Sequence, residues 1–324
     1  MGLAQKFLHD FPPPEYLDVK KSAVVFSDHC VRFLYLDRGS NYPVYHNEVV
    51  LESGMIELGQ IKNEQKVIEV LSKELENLPT NFVNFSLPDE ACYIFTVRVP
   101  VVHNKDIRDS VEFVLEENVP LPLADISFDF IPVSIDRGPE GPTAKVVVVA
   151  ISTTLCSQYV SILKKAGLLP LQCLNESQAV SNAVIERGST QNKIIINMHT
   201  KSAGIYVANA GVVEFSSVVP FVTELVSADI SSVIKNIKNE VERALDYSQS
   251  KSGILEANKK GVEECVLCGE QSILKNLSKE ICNTSNVSSS MANVWVNCFT
   301  INDHIPQITQ GDSLRFSSAI GLLI

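Results

Sequence analysis

Val25-Phe26-Ser27-Asp28-His29-Cys30 and Asn197-Met198-His199-Thr200 are the two stretches that decide how this chain folds. Each one lies between apolar, strand-like runs, so each predicts a β-hairpin turn. An α/β fold that holds a nucleotide between two lobes places its phosphate loops at such turns, because their backbone N–H groups can point at phosphates. The side chains at these two turns therefore indicate whether the fold keeps that chemistry.

The composition is that of a folded, acidic protein. The chain has 324 residues, of which 45% are hydrophobic, and a formal net charge of -11. This length is enough for two compact lobes with a sizeable core. Nucleic-acid binding needs a basic face, so the charge argues against a nucleic-acid partner.

The eight cysteines are scattered and mostly lie in apolar runs, as reduced cysteines of cytoplasmic proteins do. Cys265 and Cys268 form a lone CxxC within a predicted strand. Residues three apart in a strand point to opposite faces, so we expect ordinary strand cysteines here and no metal or redox centre.

No apolar run is long enough to span a bilayer, and no signal peptide follows Met1. We therefore expect a cytoplasmic protein with only peripheral membrane association. Residues 1–18 form a tail in which Phe7, Leu8 and Phe11 lie on one helical stripe before three prolines. This tail predicts a helix that either packs on its own domain or docks on a membrane or partner.

Hydrophobic periodicity predicts the same order of elements twice, namely strand, strand, strand, helix, strand, helix. The first series of strands and helices covers 23–27, 31–37, 44–51, 64–78, 82–87, 92–99, 105–117, 126–133, 145–152, 154–166, 168–174 and 176–186. The second covers 193–197, 204–208, 212–216, 228–250, 262–268, 271–281, 294–299 and 314–323. Such a repeat favours an α/β protein with two lobes and a cleft between them.

Several further stretches occur in an order that is typical of one family. They are Phe11-Pro12-Pro13-Pro14, Ser86-Leu87-Pro88-Asp89-Glu90, Leu115-Glu116-Glu117-Asn118-Val119-Pro120-Leu121, Glu176-Ser177-Gln178-Ala179, Glu240-Val241-Glu242-Arg243-Ala244-Leu245-Asp246-Tyr247, Ala292-Asn293-Val294-Trp295-Val296-Asn297 and Ser318-Ala319-Ile320-Gly321-Leu322. Together with the first hairpin, they resemble PilM, the actin-like cytoplasmic component of type IV pilus assembly, over nearly the whole chain.

The resemblance implies an actin/Hsp70-like two-lobe fold built from duplicated ribonuclease-H-like domains. The first lobe would cover 19–186 and include a small α+β subdomain, inserted at about 84–150, like that of FtsA. The second lobe would cover 187–324. It looks shortened, because the family's additional subdomain and its Ala-Glu-x-x-Lys helix have no counterpart between Phe215 and Glu240.

The resemblance also implies a role at the inner face of the cytoplasmic membrane. A PilM-like protein would bind the cytoplasmic tail of a PilN-like bitopic membrane protein, and other components of the pilus or secretion platform. We expect that contact on the strand 92–99 or the helix 105–117, with Tyr93, Phe95 and Val97 on one strand face; the other interpretation of this face is subdomain core.

The first hairpin departs from what Mg-nucleotide binding needs in this fold. The family's position for the acid that orients Mg-bound water holds Val25, and Asp28 lies in the turn instead, between Ser27 and His29. Mg²⁺ prefers oxygen ligands and keeps several waters, so a valine cannot replace that acid.

The second hairpin and the adenosine-side loop depart as well. Asn197 stands where the family has Asp, and His199, before Thr200, stands where it has the Gly that permits close backbone approach. Gly269 remains in the adenosine-side loop, but Glu270 replaces the next glycine. These positions predict a degenerate ATP site with no metal and no catalytic residue.

Two other functions stay open at this point. An active actin-like ATP-binding protein would require Asn197 to orient a water and the hydroxyls of Ser27 and Thr200 to replace lost donors. An FtsA-like filament former would self-associate at the membrane. Glu176 has two interpretations, a group near the nucleophilic water or a cap of the following helix, and the degraded hairpins favour the cap.

Overall fold

Two five-stranded sheets, a three-stranded sheet, the two-stranded β4-β5 hairpin and the helices packed on them form the part of the chain that the structure describes. The computed structural model describes residues 19–37, 42–101, 106–138, 141–221, 225, 229–251, 261–285, 287–299 and 307–324. The tail 1–18 and its predicted helix lie outside the described residues. No helix in these ranges combines the length and the apolarity that crossing a bilayer requires.

The strands and helices of the described ranges follow in chain order. The strands are β1 (Ser22–Phe26), β2 (Cys30–Asp37), β3 (Tyr42–Val50), β4 (Ile56–Glu57), β5 (Gln60–Ile61), β6 (Phe82–Leu87), β7 (Cys92–Pro100), β8 (Ile126–Gly138), β9 (Gly141–Ser152), β10 (Leu169–Asn175), β11 (Asn192–Met198), β12 (Ser202–Asn209), β13 (Val212–Pro220), β14 (Glu264–Gly269) and β15 (Ser288–Met291). The helices are α1 (Glu64–Leu75), α2 (Asp106–Asn118), α3 (Thr153–Lys165), α4 (Glu176–Val184), α5 (Ile230–Lys251), α6 (Leu274–Ser285), α7 (Gln310–Arg315) and α8 (Ser317–Gly321).

The two large sheets share one topology. Their strand orders are β10-β6-β1-β2-β3 and β13-β12-β11-β14-β15. In each sheet three consecutive strands pair antiparallel, and two later strands add in parallel beside the first of them. This repetition confirms the two-fold α/β order predicted from hydrophobic periodicity.

The three inner strands of the first sheet, β1, β2 and β6, are buried on both faces, which explains their nearly continuous apolar sequences. Val24 and Phe26 of β1 face a core that includes residues of α1 and α3. Ala23 and Val25 face the opposite way, into a core that includes α4, α8 and the second sheet. The two hairpin turns therefore lie at the boundary between the lobes.

The three-stranded sheet, in the order β7-β9-β8, carries α2 on one face. Val111 and Leu115 of α2 pack on Val146 and Val148 of β9. The sheet is tied to the second lobe by Lys145, whose Nζ lies 2.9 Å from Oε1 of Glu214. Both side chains are buried, so this ion pair fixes the small sheet against β13.

Some predicted elements differ from the structure. The apolar run 294–299, predicted as a strand, forms turns at 294–298, in which Trp295 stacks on Phe299. The predicted helix 314–323 is divided at Phe316 into α7 and α8. The strand β15 was not predicted. Cys265 and Cys268 do lie buried in β14, as expected of strand cysteines.

Candidate functional site

The first hairpin turn, between β1 and β2, is closed by its own side chain. The hydroxyl of Ser27 donates to the carbonyl of Cys30 at 3.0 Å and accepts from the Cys30 N–H at 3.2 Å. The carbonyl of His29 accepts from the N–H of Leu51 at 2.7 Å. Ser27 thus stabilises the turn, and its hydroxyl is already engaged within it.

Asp28 holds a neighbouring turn. Its Oδ2 accepts from the N–H of Leu58 at 2.7 Å, and its Oδ1 accepts from the N–H of Gly59 at 3.0 Å. Leu58 and Gly59 have φ values of 49° and 69° and connect β4 to β5, as the two central residues of a type I′ hairpin do. The carboxylate therefore satisfies two backbone donors of a strained turn.

Val25, for which the resemblance predicted an acid in an active relative, occupies the core. It is 1% exposed, and Arg32 lies directly opposite it on β2. Residues that face each other across antiparallel strands share one side of the sheet. The guanidinium of Arg32 therefore lies on the cleft side, where its Nε is 2.6 Å from Oε2 of Glu48.

At the second hairpin, the side chains of Asn197 and His199 contact each other and Glu176. Nδ2 of Asn197 lies 3.1 Å from Nε2 of His199 and donates to Oε1 of Glu176 at 3.5 Å. Glu176 also accepts from the hydroxyl of Ser318 at 3.0 Å. The carbonyl of Thr200 accepts from the N–H of Leu225. Asn197 and His199 thus meet beside Glu176, whereas the bond given for Thr200 is that of its backbone carbonyl.

Glu176 does not cap the helix in the way that was favoured from the sequence. It is the first residue of α4, whose N-cap is Asn175, and it is 4% exposed with its carboxylate turned into the cleft. Burial raises the pKa of Glu176, and Arg32 opposes that shift. Its contacts with Asn197 and Ser318 join three segments of the chain.

Burial lowers the pKa of His199 to about 3, and the nearby Arg32 lowers it further in the same direction. The imidazole is therefore neutral at physiological pH. Since Asn197 donates to Nε2, the proton is assigned to Nδ1, and that atom has no hydrogen-bond partner among the described residues. A neutral histidine offers no positive charge to a phosphate.

A chain of ion pairs crosses the cleft from the first lobe to the loop that follows β14. Arg32 pairs with Glu48, Glu48 also pairs with Arg315 of α7, and Nε of Arg315 lies 3.4 Å from Oε2 of Glu270. Sequence reasoning missed Arg32, Glu48 and Arg315, because Arg315 and Glu48 are 267 residues apart.

Gly269 serves the protein backbone. Its φ is +91°, and a Cβ at this position would lie 2.1 Å from the carbonyl oxygen of Met198. The next N–H, that of Glu270, donates to the same carbonyl at 2.8 Å. The glycine that the sequence suggested for nucleotide approach is thus required for the contact between β14 and β11.

The remaining cavity at the hairpins has a volume of about 300 Å³, and its walls include three carboxylates and Lys201. The carboxylates are those of Asp28, Glu90 and Glu176. This volume is at the lower end of the range for ligand pockets. No group of three or more potential metal ligands occurs in the described part of the chain.

Asp89 connects the lobes next to this cavity and was not identified from the sequence. Its carboxylate accepts from the N–H of Ser177 at 3.1 Å and from the hydroxyls of Ser177 and Ser216 at 3.0 Å each. Burial raises its pKa to about 6, with a further rise caused by Glu176. It thereby binds the start of α4 and β13 at once.

A second concavity lies beside the small sheet, on the face opposite α2. Its volume is about 250 Å³, and its apolar walls include Phe130, Val149, Leu174 and Val213. We call it the subdomain groove. It is bordered by β8 and β10, each at the end of its sheet and without a strand partner on its outer side among the described residues.

The predicted partner contacts lie on the other face of the small sheet. Tyr93, Phe95 and Val97 are partly buried and pack on the same core as Val111 and Leu115 of α2. This position is the one expected if these side chains belong to the core of the small subdomain, which was the other interpretation of this strand face. Nothing else about these three side chains tests a partner contact, so that role stays a prediction.

Two duplicated five-stranded sheets that face each other across a cleft, with an inserted small sheet, define the class of actin-like ATPase-fold proteins. No model of a protein family matches the sequence, and no curated protein matches it. The structural likenesses below show the fold.

Among solved structures, the chain is similar to the PilM-PilN type IV pilus biogenesis complex, with a TM-score of 0.76 and 16% identity over 94% of this chain and 97% of that chain. It is also similar to the cytoplasmic domain of EpsL, an inner membrane component of the type II secretion system of Vibrio cholerae, with a TM-score of 0.51 and 9% identity over 93% of both chains. A third likeness is a Bacteroides thetaiotaomicron protein with an actin-like ATPase fold, with a TM-score of 0.50 and 11% identity over 87% of this chain and 94% of that one. The resemblance to PilM is thus confirmed for the fold.

Proposed function

We propose that this chain is a scaffold of a type IV pilus or related secretion platform at the inner face of the cytoplasmic membrane. In this role it binds the cytoplasmic tail of a PilN-like membrane protein. Support comes from the likeness to a PilM-PilN complex and to a cytoplasmic domain of a secretion-system membrane component. Other platform components and copies of the chain itself are further partners in this proposal.

The proposal depends mainly on the subdomain groove. An extended peptide can add to an exposed sheet edge through main-chain hydrogen bonds, while pockets hold its alternate side chains. Here two unpartnered strand edges border one apolar groove. Ile131 of β8 lines the groove and is 39% exposed, and Leu169 and Leu171 of β10, outside the lining, are 41% and 49% exposed. Exposed apolar side chains on an edge strand favour pairing with another chain.

The chemistry of the groove selects a particular kind of tail. The walls are mainly apolar, with Asp129 as the charged group at the rim. The chain as a whole carries a net charge of -11. An extended segment with alternate apolar side chains and a basic residue therefore suits this groove.

The cleft residues, by contrast, do not fit Mg-ATP, and we include a degenerate nucleotide site in the proposal. The polar groups at Ser27, Asp28 and Asn197 already bond within the protein, and both arginines near the cleft are paired with carboxylates. Each lost or repelled polar contact costs ~1–3 kcal/mol. Three or four such losses would weaken binding by roughly a thousandfold or more.

A binding experiment with a groove variant and a matched control tests the function. The probe is a synthetic peptide with the amino-terminal cytoplasmic sequence of a PilN-like protein from the same genome, titrated into the full chain by fluorescence anisotropy. We expect saturable binding that Ile131→Glu weakens at least about tenfold, because the new carboxylate would be buried under the peptide.

Ile135→Glu is the control, since Ile135 lies on the same strand, is 54% exposed and lies outside the groove. It should bind like the unaltered chain. Absence of saturation at high micromolar peptide, or equal effects of both substitutions, would contradict the proposed groove.

A further inference from the structure

Two cysteines of the subdomain groove are adjacent in space. Cys156 belongs to α3 and Cys173 to β10, and the two thiols lie close enough to shift each other's pKa. Both line the groove, and Cys156 also lines a shallow, open depression next to Lys164 and Lys165. Both are free thiols, and solvent reaches each of them.

The position of Cys156 favours its thiolate. It is the fourth residue of α3, so it lies in the first turn, where the partial positive charge of a helix N-terminus stabilises an anion. The hydrogen bond from Cys173 lowers the pKa of Cys156 to about 7. A thiolate at a helix start beside a second thiol is the environment of reactive cysteines.

Other cysteines of the described chain have the opposite environment. Burial raises the pKa of Cys268 and of Cys298 to about 12 each, and it also raises that of Cys30. Such thiols are poor nucleophiles. The hydrogen bond with Cys156 and burial raise the pKa of Cys173 as well, so the contrast singles out Cys156 as the nucleophile of the pair that lines the groove.

We propose that Cys156 and Cys173 form a redox modification site, a dithiol that closes reversibly to a disulfide in the wall of the subdomain groove. The oxidant is a hydroperoxide such as hydrogen peroxide. The Cys156 thiolate attacks one peroxide oxygen, the O–O bond breaks, and hydroxide leaves and takes up a proton. The Cys173 sulfur then attacks the sulfenic acid, the S–S bond forms, and water leaves. Two thiols lose two electrons, and one peroxide becomes two waters.

The disulfide would link α3 to β10 and change one wall of the groove. This consequence for a bound tail rests on the proposed function, whereas formation of the disulfide does not. The two are measured separately, because mapping of the cross-link requires no peptide.

The full chain is treated with hydrogen peroxide, remaining thiols are alkylated, and the products are mapped by mass spectrometry. We expect a Cys156–Cys173 cross-link that dithiothreitol reverses. Its rate should rise with pH and level off at a lower pH than that of a thiol with an unshifted pKa, because the pKa of Cys156 is lowered. A thiol with an unshifted pKa would still gain rate above pH 8.

Two cysteine substitutions, one at a proposed partner and one as a control, test which thiols react. Cys173→Ser should stop the reaction at a Cys156 sulfenic acid that dimedone traps, and Cys298→Ser should leave the cross-link unchanged. Recovery of both thiols in alkylated form after peroxide treatment would overturn the proposal. A cross-link that involves Cys92 in place of either partner would do so too.

Discussion

At the scale of single residues, the two hairpins show that the ability of a polar side chain in a cleft to bind a ligand depends on the hydrogen bonds that it already makes. Asp28 and Ser27 have suitable chemistry for phosphate or magnesium, but both complete turns of the protein itself. Both line the cavity at the hairpins. Sequence reasoning could not show that their lone pairs and protons were already engaged.

The turn-holding role of Asp28 can be measured directly. Asp28→Asn replaces a charged acceptor of two N–H groups by a neutral one, so the free energy of unfolding should fall by about 1–2 kcal/mol. Urea denaturation measures it. Asp125→Asn, at an exposed aspartate, is the control and should change stability very little. Equal stability of Asp28→Asn and the unaltered chain would show that this turn does not depend on the carboxylate.

His199 should make stability depend on pH. Its pKa is about 3 in the folded chain and near 6.5 when unfolded, so between these values only the unfolded chain binds the proton. Its contribution is fully present above pH 6.5 and is lost as the pH falls, by about 2 kcal/mol between pH 7 and 5. Asp89 has the opposite slope below pH 6, because its folded pKa is raised.

The difference between His199→Gln and the unaltered chain isolates the histidine, since Asp89 contributes to both curves. Urea denaturation from pH 7 to 5 should show a smaller loss of stability for the variant. Parallel curves over this interval would mean that the imidazole is protonated in the folded state as well.

At the scale of elements, hydrophobic periodicity predicted the strands and helices whose own sequences show the pattern of that element. The antiparallel strands around both hairpins and the helix α1 were predicted close to their observed bounds. The strand β15 has the sequence Ser288-Ser289-Ser290-Met291 and no apolar alternation. It forms because β14 offers a parallel edge to pair with, which local sequence does not reveal.

The turns around Trp295 are the opposite case, because a strand was predicted there and the structure has turns. A short apolar run can be a buried strand or a buried turn, and periodicity cannot distinguish them over so few residues. The chain of ion pairs through Arg315 was not predicted, for a different reason. Its members come from remote parts of the sequence, so spacing carries no information about their contact.

The buried Lys145–Glu214 pair should decide how firmly the small sheet holds to the second lobe. Lys145→Met leaves Glu214 buried without its cation, at a cost of about 3–5 kcal/mol. Adding Glu214→Met should restore much of that loss, because no unpaired charge remains. Urea denaturation of both single variants and the double variant gives the coupling energy.

Arg98 and Asp136 are the matched exposed pair of the same sheet, with side chains 43% and 49% exposed. Arg98→Met should cost less than about 1 kcal/mol. If Lys145→Met cost no more than that, the buried pair would not stabilise this contact.

At the scale of the whole molecule, contacts between side chains join the two lobes. Asp89 binds α4 and β13, Arg315 joins Glu48 to Glu270, and Gly321 lets α8 approach α4 so closely that a Cβ would lie 1.7 Å from the carbonyl oxygen of Ala179. We propose that these contacts within the protein hold the two lobes together and that the subdomain groove binds a partner.

Calorimetric titration of Mg-ATP into the full chain tests this account most directly. We expect no saturable heat up to about millimolar nucleotide, because Ser27, Asp28 and Asn197 already bond within the protein and the nearby arginines are paired with carboxylates. A single-site isotherm with a micromolar dissociation constant would contradict it.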